Sequence, residues 1–131
     1  MADTRRPLSP HMQIYKWQVQ MVTSILHRAT GIALAVGTLL VVWGLLALAA
    51  GETHFDQFKT CMGSPLGIVL LVGWSWALFY HLCNGIRHLL QDTGMGYAIP
   101  QFVRSSWLSV IGSLVLVVLV WTWVLTAGGA A

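Results

Sequence analysis

The sequence predicts an all-α integral membrane protein with three transmembrane helices. Of its 131 residues, 56% are hydrophobic, only 8% are charged and seven are tryptophan, which is far outside the composition of soluble domains. Three segments without formal charge, 29–51, 60–86 and 105–131, exceed the roughly 20 helical residues that cross a hydrocarbon core of about 30 Å. They also lack the alternation of barrel strands. We therefore expect a three-helix membrane anchor with a short N-terminal extension and no soluble domain.

Each part of the chain receives an expected place in this anchor. The six parts are an N-terminal cytoplasmic segment 1–22, transmembrane helix 23–51, outer loop 52–63, transmembrane helix 64–90, cytoplasmic loop 91–104 and transmembrane helix 105–131. Thr23 and Ser24 are candidate caps for the first helix. The preceding stretch 17–21 alternates weakly, which indicates a strand-like or interfacial segment at the membrane surface. Small residues four apart in the first span, such as Ala33 and Gly37, favour close helix packing, as do Ser109 and Ser113 in the third.

Basic residues predict the orientation. Four precede the first span and two flank the second loop, whereas the first loop has only Lys59 beside two acidic residues; the six are Arg5, Arg6, Lys16, Arg28, Arg87 and Arg104. Cytoplasmic loops are enriched in Lys and Arg, so we expect the N-terminus and the second loop in the cytoplasm. The first ten residues resemble neither a secretory signal nor an import leader, which favours a bacterial inner membrane. These dispersed charges predict no nucleic-acid surface, and the distant Cys61 and Cys83 predict no disulfide.

His81 is the strongest candidate for a functional residue, because imidazole is costly in hydrocarbon. Ala77, His81, Gly85 and His88 fall on one helical stripe. The small neighbours of His81 leave room for a broad flat ring, with His81 as axial ligand to a haem iron. His88, about 10 Å further along the helix, would reach the propionates at the rim, while Arg87 points to another face. The alternative is that His81 hydrogen-bonds to a neighbouring helix and that Ala77 and Gly85 serve packing.

A six-coordinate haem needs a second axial ligand. The other histidines near a span, His27 and His88, are expected to lie too close to the cytoplasmic edge to face His81. We therefore expect the second ligand to come from another chain.

A second candidate site lies at the start of the first helix. Ser24 and Arg28 are four residues apart on one face, with His27 beside them. A hydroxyl and a guanidinium can donate to the carbonyl oxygens of a quinone and stabilise the negative charge that develops as it is reduced. The alternative is a serine cap, with Arg28 reaching to anionic headgroups.

Three motifs closely resemble the cytochrome b556 subunit family of succinate dehydrogenase. They are Arg6-Pro7-Leu8-Ser9-Pro10-His11, then Ser24-Ile25-Leu26-His27-Arg28-Ala29-Thr30-Gly31, and finally His81-Leu82-Cys83-Asn84-Gly85-Ile86-Arg87-His88 with Asp92. The resemblance includes their order and the three-helix topology over nearly the whole chain. One position departs from the family pattern, because Gln91 stands where an aromatic residue or methionine is usual.

The resemblance implies a function and a set of partners. Such a chain bundles with a second membrane anchor, and the two hold a flavoprotein subunit and an iron-sulfur subunit on the cytoplasmic face. His81 matches the axial ligand of haem b, which is shared with the second anchor, and His27 and His88 match positions near the propionates. Ser24 and Arg28 match residues of the ubiquinone site. Electrons from succinate then reach quinone through the flavin and the iron-sulfur centres, and succinate never touches this chain.

Three other functions remain open from the sequence. A quinol:fumarate reductase anchor would run the same reaction backwards, and its direction depends on the partner subunits and on the quinone. A haem-free scaffold would only attach a soluble redox module to the membrane. A proton-conducting bundle built on His81 is disfavoured, because the spans contain no Asp or Glu partner.

Overall fold

The structure is a computed structural model that describes residues 10–127. A short 3-10 turn, Met12–Ile14, precedes four α-helices: α1 (Val19–Ala50), α2 (Glu52–Met62), α3 (Pro65–Asp92) and α4 (Ile99–Ala127). Helices α1, α3 and α4 are long and apolar enough to cross a membrane. This confirms the predicted fold class. Residues 1–9, which include most of the first family motif, and residues 128–131 of the expected third span lie outside the described residues.

Helix α1 begins earlier than the sequence suggested. It starts at Val19 after Gln18, whose side chain makes no cap hydrogen bond. Thr23 is inside the helix, where its hydroxyl donates to the carbonyl oxygen of Gln20 at 3.1 Å, so the expected cap at Thr23 and Ser24 is wrong. Of the two alternatives for stretch 17–21, the strand-like one is wrong, because residues 19–21 are helical; its place at the membrane surface stays a prediction. In lipid a helix satisfies its own backbone groups, which favours extending the first span through these apolar residues.

The segment 52–63, expected as a loop, instead forms α2. Gly51, with φ of +114°, allows the sharp break between α1 and α2 that other residues rarely adopt. Two interactions then hold the short helix in place. The ring of Phe58 packs edge-on against Trp43 at 4.9 Å between centroids, and the acidic Glu52 and basic Lys59 occupy the first and last turns, where they complement the helix dipole.

Helix α3 packs against both α1 and α4, and small side chains set how closely. At Gly37 of α1, a Cβ atom would lie 1.8 Å from the indole Nε1 of Trp74, so only glycine fits there. Three serines of α4 are buried: Ser106, Ser109 and Ser113. The buried Gly37, Ser109 and Ser113 agree with the predicted packing faces, whereas Ala33 is exposed. The bundle thus buries small and polar residues and leaves most large apolar side chains on its outside, as in proteins surrounded by lipid.

Candidate functional site

Three histidines meet where the start of α1 packs against the second half of α3. The rings of His27 and His81 stack with 4.0 Å between centroids and 9° between planes. His88 is tilted against His27 at 5.1 Å. The expectation that His27 lies too close to the membrane edge to face His81 is therefore wrong. Two sequence motifs that are far apart along the chain form one imidazole cluster.

One nitrogen of His81 is engaged within the chain. Its Nδ1 lies 3.1 Å from the carbonyl oxygen of His27 and 3.3 Å from the hydroxyl of Thr30. A carbonyl oxygen can only accept, so the proton belongs on Nδ1 of His81. The Thr30 hydroxyl donates in turn to the carbonyl oxygens of Leu26 and His27. Nε2 of His81 then carries the lone pair and has no hydrogen-bond partner among residues 10–127.

This arrangement suits a metal-ligating histidine. Such histidines bind the metal through one nitrogen and donate the other N–H to a carbonyl or carboxylate, which fixes the ring and its tautomer. His81 is half-buried. The hydrogen bond at Nδ1 therefore fixes the ring and leaves Nε2 of His81 without a hydrogen-bond partner among residues 10–127.

The small residues around His81 serve a different purpose from the one expected. A Cβ on Gly31 would lie 3.1 Å from Cε1 of His81, and one on Gly85 would lie 3.8 Å from Cε1 of His27. Ala77 is buried between helices. The space beside His81 on these sides therefore holds the imidazoles and α1, not a broad ring.

The stacked geometry also decides whether His27 could be the opposite axial ligand. Axial ligands lie on opposite sides of the iron with their nitrogen lone pairs pointing at each other. The rings of His27 and His81 are stacked face to face. Their lone pairs lie in the ring planes, so they cannot point at each other. Moreover, the described residues contain no group of three His, Cys, Asp or Glu side chains that could hold a metal ion. A porphyrin supplies four ligands itself, so a single protruding histidine suits haem and suits few other metal groups.

A polar network continues from the histidines into the bundle. The side-chain amide of Asn84 donates to Nε2 of His88 at 3.1 Å, and its oxygen accepts from Nη1 of Arg87 at 3.4 Å. Nε of Arg87 donates to the hydroxyl of Ser105 at 2.9 Å. Because Nε2 of His88 is an acceptor, its proton lies on Nδ1, where it can be donated to a group outside the chain. Arg87 points away from the histidine cluster, as the sequence predicted.

Ser24 lies about one turn before His27 along α1, and Arg28 directly follows His27. Ser24 is half-buried and Arg28 is exposed. Their side chains make no hydrogen bond or ion pair with another described residue, so both donors are available. The structure thus brings the two residues to the same end of the bundle as the histidines.

Sequence reasoning gave no role to three residues that build this site: Thr30, Tyr80 and Asn84. The fully buried Tyr80 donates its hydroxyl proton to the carbonyl oxygen of Thr23 at 2.8 Å, which fixes the start of α1 against α3. Asn84 could have been suspected, because polar residues inside a span pair with a neighbour and His88 is one turn away. No sequence signal could have linked Tyr80 to a backbone carbonyl of another helix.

Comparison with known proteins gives consistent matches. The model of the succinate dehydrogenase/fumarate reductase transmembrane subunit family matches residues 2–120. The succinate dehydrogenase cytochrome b556 subunit of Paracoccus denitrificans is 43% identical over 122 residues, which cover 91% of this chain and 94% of that relative. The same-named protein of Rickettsia felis is 42% identical over 117 residues, or 89% and 91% of the two chains.

A mitochondrial relative is similar as well. The succinate dehydrogenase cytochrome b560 subunit of Sus scrofa is 44% identical over 104 residues, which are 78% of this chain and 62% of that relative. The bacterial relatives, together with the three apolar helices, point to a bacterial inner membrane. The chain belongs to the succinate dehydrogenase/fumarate reductase transmembrane subunit family.

Proposed function

We propose that this membrane anchor subunit binds haem b through His81 and forms part of the ubiquinone-reduction site of a succinate dehydrogenase. The observation that carries the proposal is the hydrogen bond from Nδ1 of His81 to the carbonyl oxygen of His27. It leaves Nε2 of His81 without a hydrogen-bond partner among residues 10–127. The names of the relatives, cytochrome b556 and b560 subunits, agree with this choice of ligand.

The residues around His81 would hold and orient the cofactor. His81 would hold the haem iron through Nε2, and a second iron ligand would come from the second membrane anchor, because the ring of His27 is stacked on His81. His88 and His27 lie where their N–H groups can donate to propionates. When bound, the haem supplies one-electron redox chemistry close to the quinone site.

Ser24 and Arg28 would bind the quinone. Neither side chain is committed to another described residue, and both lie near the imidazole cluster on α1. Their hydroxyl and guanidinium donors favour the state in which negative charge develops on the quinone oxygens. The guanidinium of Arg28 is positively charged. It would therefore also attract the quinone as negative charge develops on it, without transferring a proton itself.

The reaction direction and the partners follow from the relatives. The family description covers both succinate dehydrogenase and fumarate reductase, but the relatives from Paracoccus denitrificans, Rickettsia felis and Sus scrofa carry the succinate dehydrogenase name. We therefore assign the direction from succinate to quinone. The flavoprotein and iron-sulfur subunits would dock at the end of the bundle that carries Lys16, Arg28, Arg87 and Arg104, called the basic end below, and this end would face the cytoplasm.

Replacing His81 by Leu tests the haem assignment. We expect His81→Leu to remove the b-type signal or shift it strongly in reduced-minus-oxidised spectra of the purified complex, because packing cannot replace an axial bond. His88→Leu should perturb the spectrum less, since one lost hydrogen bond costs about 1–3 kcal/mol.

His54→Leu is the matched control, because His54 is exposed on α2 at the opposite end. It should leave the spectrum unchanged. A parent-like spectrum and full haem content in the His81 variant would show that the ligand is elsewhere. A complex without any b-type signal in the unmodified protein would favour the haem-free scaffold.

A further inference from the structure

A cavity lies on the side of α3 away from His81. It has a volume of about 400 Å³ and opens between α3 and α4. Its α3 wall includes Cys83, Ile86 and Leu90, which lie about 140–200° around the helix from His81 at 100° per residue. The cavity is therefore distinct from the proposed haem and quinone site.

The cavity contains a buried guanidinium with an unused donor. Arg87 lines the wall and is only 6% exposed. Its Nε and Nη1 are held by Ser105 and Asn84, and its Cζ lies 4.4 Å from the ring centroid of Phe102. Nη2 is buried without a hydrogen-bond partner among residues 10–127. The side chain is thus fixed in place with one buried N–H donor group left unpaired.

The neighbouring wall residue Gln91 repeats this pattern. It is 7% exposed, and its Nε2 is buried and unpaired within the described part of the chain. Nor does a carboxylate neutralise Arg87, since the ion pair found within residues 10–127 joins Lys59 to Asp56 on α2. A buried guanidinium without a counter-charge is costly, and so is a buried amide nitrogen without a hydrogen-bond acceptor. An anionic acceptor from outside this chain would satisfy both.

The level of the cavity in the membrane indicates what that acceptor is. Arg87 is the first formal charge after the uncharged segment 60–86, and Arg104 is the last before the uncharged segment 105–131. Charges at such boundaries lie at the headgroup level. Further into the span the wall is apolar, with Cys83, Ile86 and Leu108. A ligand that fits is charged at one end and apolar along its length.

We propose that this cavity binds a membrane phospholipid, with its phosphate at Arg87 and Gln91 and an acyl chain along Ile86 and Leu108. Phosphate oxygens match the forked donors of arginine, and basic pockets between transmembrane helices bind anionic lipid headgroups. The lipid fills the space between α3 and α4 and compensates the charge of Arg87. Through Asn84 it stabilises the same network that positions His88.

Lipid binding to the purified complex tests this proposal. The complex is delipidated in detergent, and dioleoylphosphatidylglycerol is titrated while bound lipid is counted by native mass spectrometry. The unmodified complex should bind one lipid tightly. Arg87→Gln, which removes the charge, and Leu108→Trp, which fills the cavity but keeps Arg87, should each weaken that binding at least tenfold.

Leu119→Trp is the matched control for the bulky substitution. Leu119 is 60% exposed, close to the 67% of Leu108, and lies on the same stripe of α4 about 16 Å further along. It should bind lipid as the unmodified complex does. If Arg87→Gln prevents assembly, the Leu108→Trp variant, checked for subunit content, still decides.

Other results would overturn the proposal. They are equal lipid binding by the unmodified complex, Arg87→Gln and Leu108→Trp; equally tight binding of dioleoylglycerol, which lacks phosphate; and saturation by inorganic phosphate alone, which indicates a free-anion site. Absence of any tightly bound lipid from the unmodified complex would overturn it as well.

Discussion

At the scale of single residues, the carbonyl oxygen of His27 decides which nitrogen of His81 is available. An imidazole without that contact could present either nitrogen, or turn within the groove. The contact at 3.1 Å and the stacked ring of His27 remove both freedoms. The same α1 turn carries Ser24 and Arg28, so the position of one helix end governs the proposed haem ligand and the proposed quinone donors together.

Substitution of the quinone donors separates electron transfer to quinone from assembly. Ser24→Ala and Arg28→Leu should each lower quinone reduction by about a hundredfold, or about 3 kcal/mol, because each removes a donor that acts where negative charge develops. Succinate oxidation by a soluble dye, which takes electrons upstream in other subunits, should persist. Both rates are measured on the purified complex.

Two patterns would contradict this assignment. If both activities fall while the subunits dissociate, Ser24 and Arg28 are assembly residues. If neither activity falls, Arg28 contacts only lipid headgroups and Ser24 has no part in quinone reduction.

At the scale of the helices, close approach of α1 to α3 is what brings His27 against His81. Gly37 permits that approach at Trp74, and Tyr80 fixes it nearer the histidines through the carbonyl oxygen of Thr23. Association of helices in lipid depends on packing and interhelical hydrogen bonds rather than on the hydrophobic effect. A bulky side chain at the contact therefore acts on the site from a distance.

Gly37→Leu should lower the thermal unfolding midpoint of the complex and broaden its haem spectrum. A Cβ at 1.8 Å from Trp74 Nε1 forces the helices apart, and overpacking of this kind costs about 1–3 kcal/mol. Gly73→Leu is the matched control, because a Cβ there meets nothing within 4 Å. Circular dichroism on heating gives the midpoint, and equal midpoints for the two variants would refute the role of Gly37.

At the scale of the whole molecule, the two ends of the bundle differ in charge and in architecture. The basic end has Arg28, Arg87 and Arg104 and carries the histidine cluster. The other end is closed by α2, which has Glu52, Asp56 and Lys59. The positive-inside rule gives this asymmetry a direction. The proposed docking of the soluble subunits would require the same direction.

Labelling of single cysteines in intact cells tests the orientation. A membrane-impermeant maleimide should react with the exposed Cys61 from outside. With Cys61→Ser as background, Lys16→Cys should react only after the membrane is opened. The background variant alone controls for Cys83, which lies within α3. The reverse labelling pattern would place the proposed quinone site on the outer face.

The sequence by itself determined the three spans and the charge difference between the ends, and it singled out His81 as a candidate site residue. Each depends on local composition, because the bilayer fixes span length, penalises polar side chains and sorts basic loops whatever the packing. The family motifs further implicated His27, His88, Ser24 and Arg28, of which the structure brings the histidines into contact.

Only the tertiary structure decided which groups face one another. The partners His27 and His81 are 54 residues apart, and their stacking depends on how α1 and α3 rotate about their axes, which hydropathy does not specify. Hydropathy likewise does not specify that the guanidinium of Arg87 is buried. Nor does it specify the place of α2, which comes from Phe58 packing on Trp43. In a membrane, apolar side chains are satisfied by lipid on any face, so the few polar and glycine contacts between helices set the rotation.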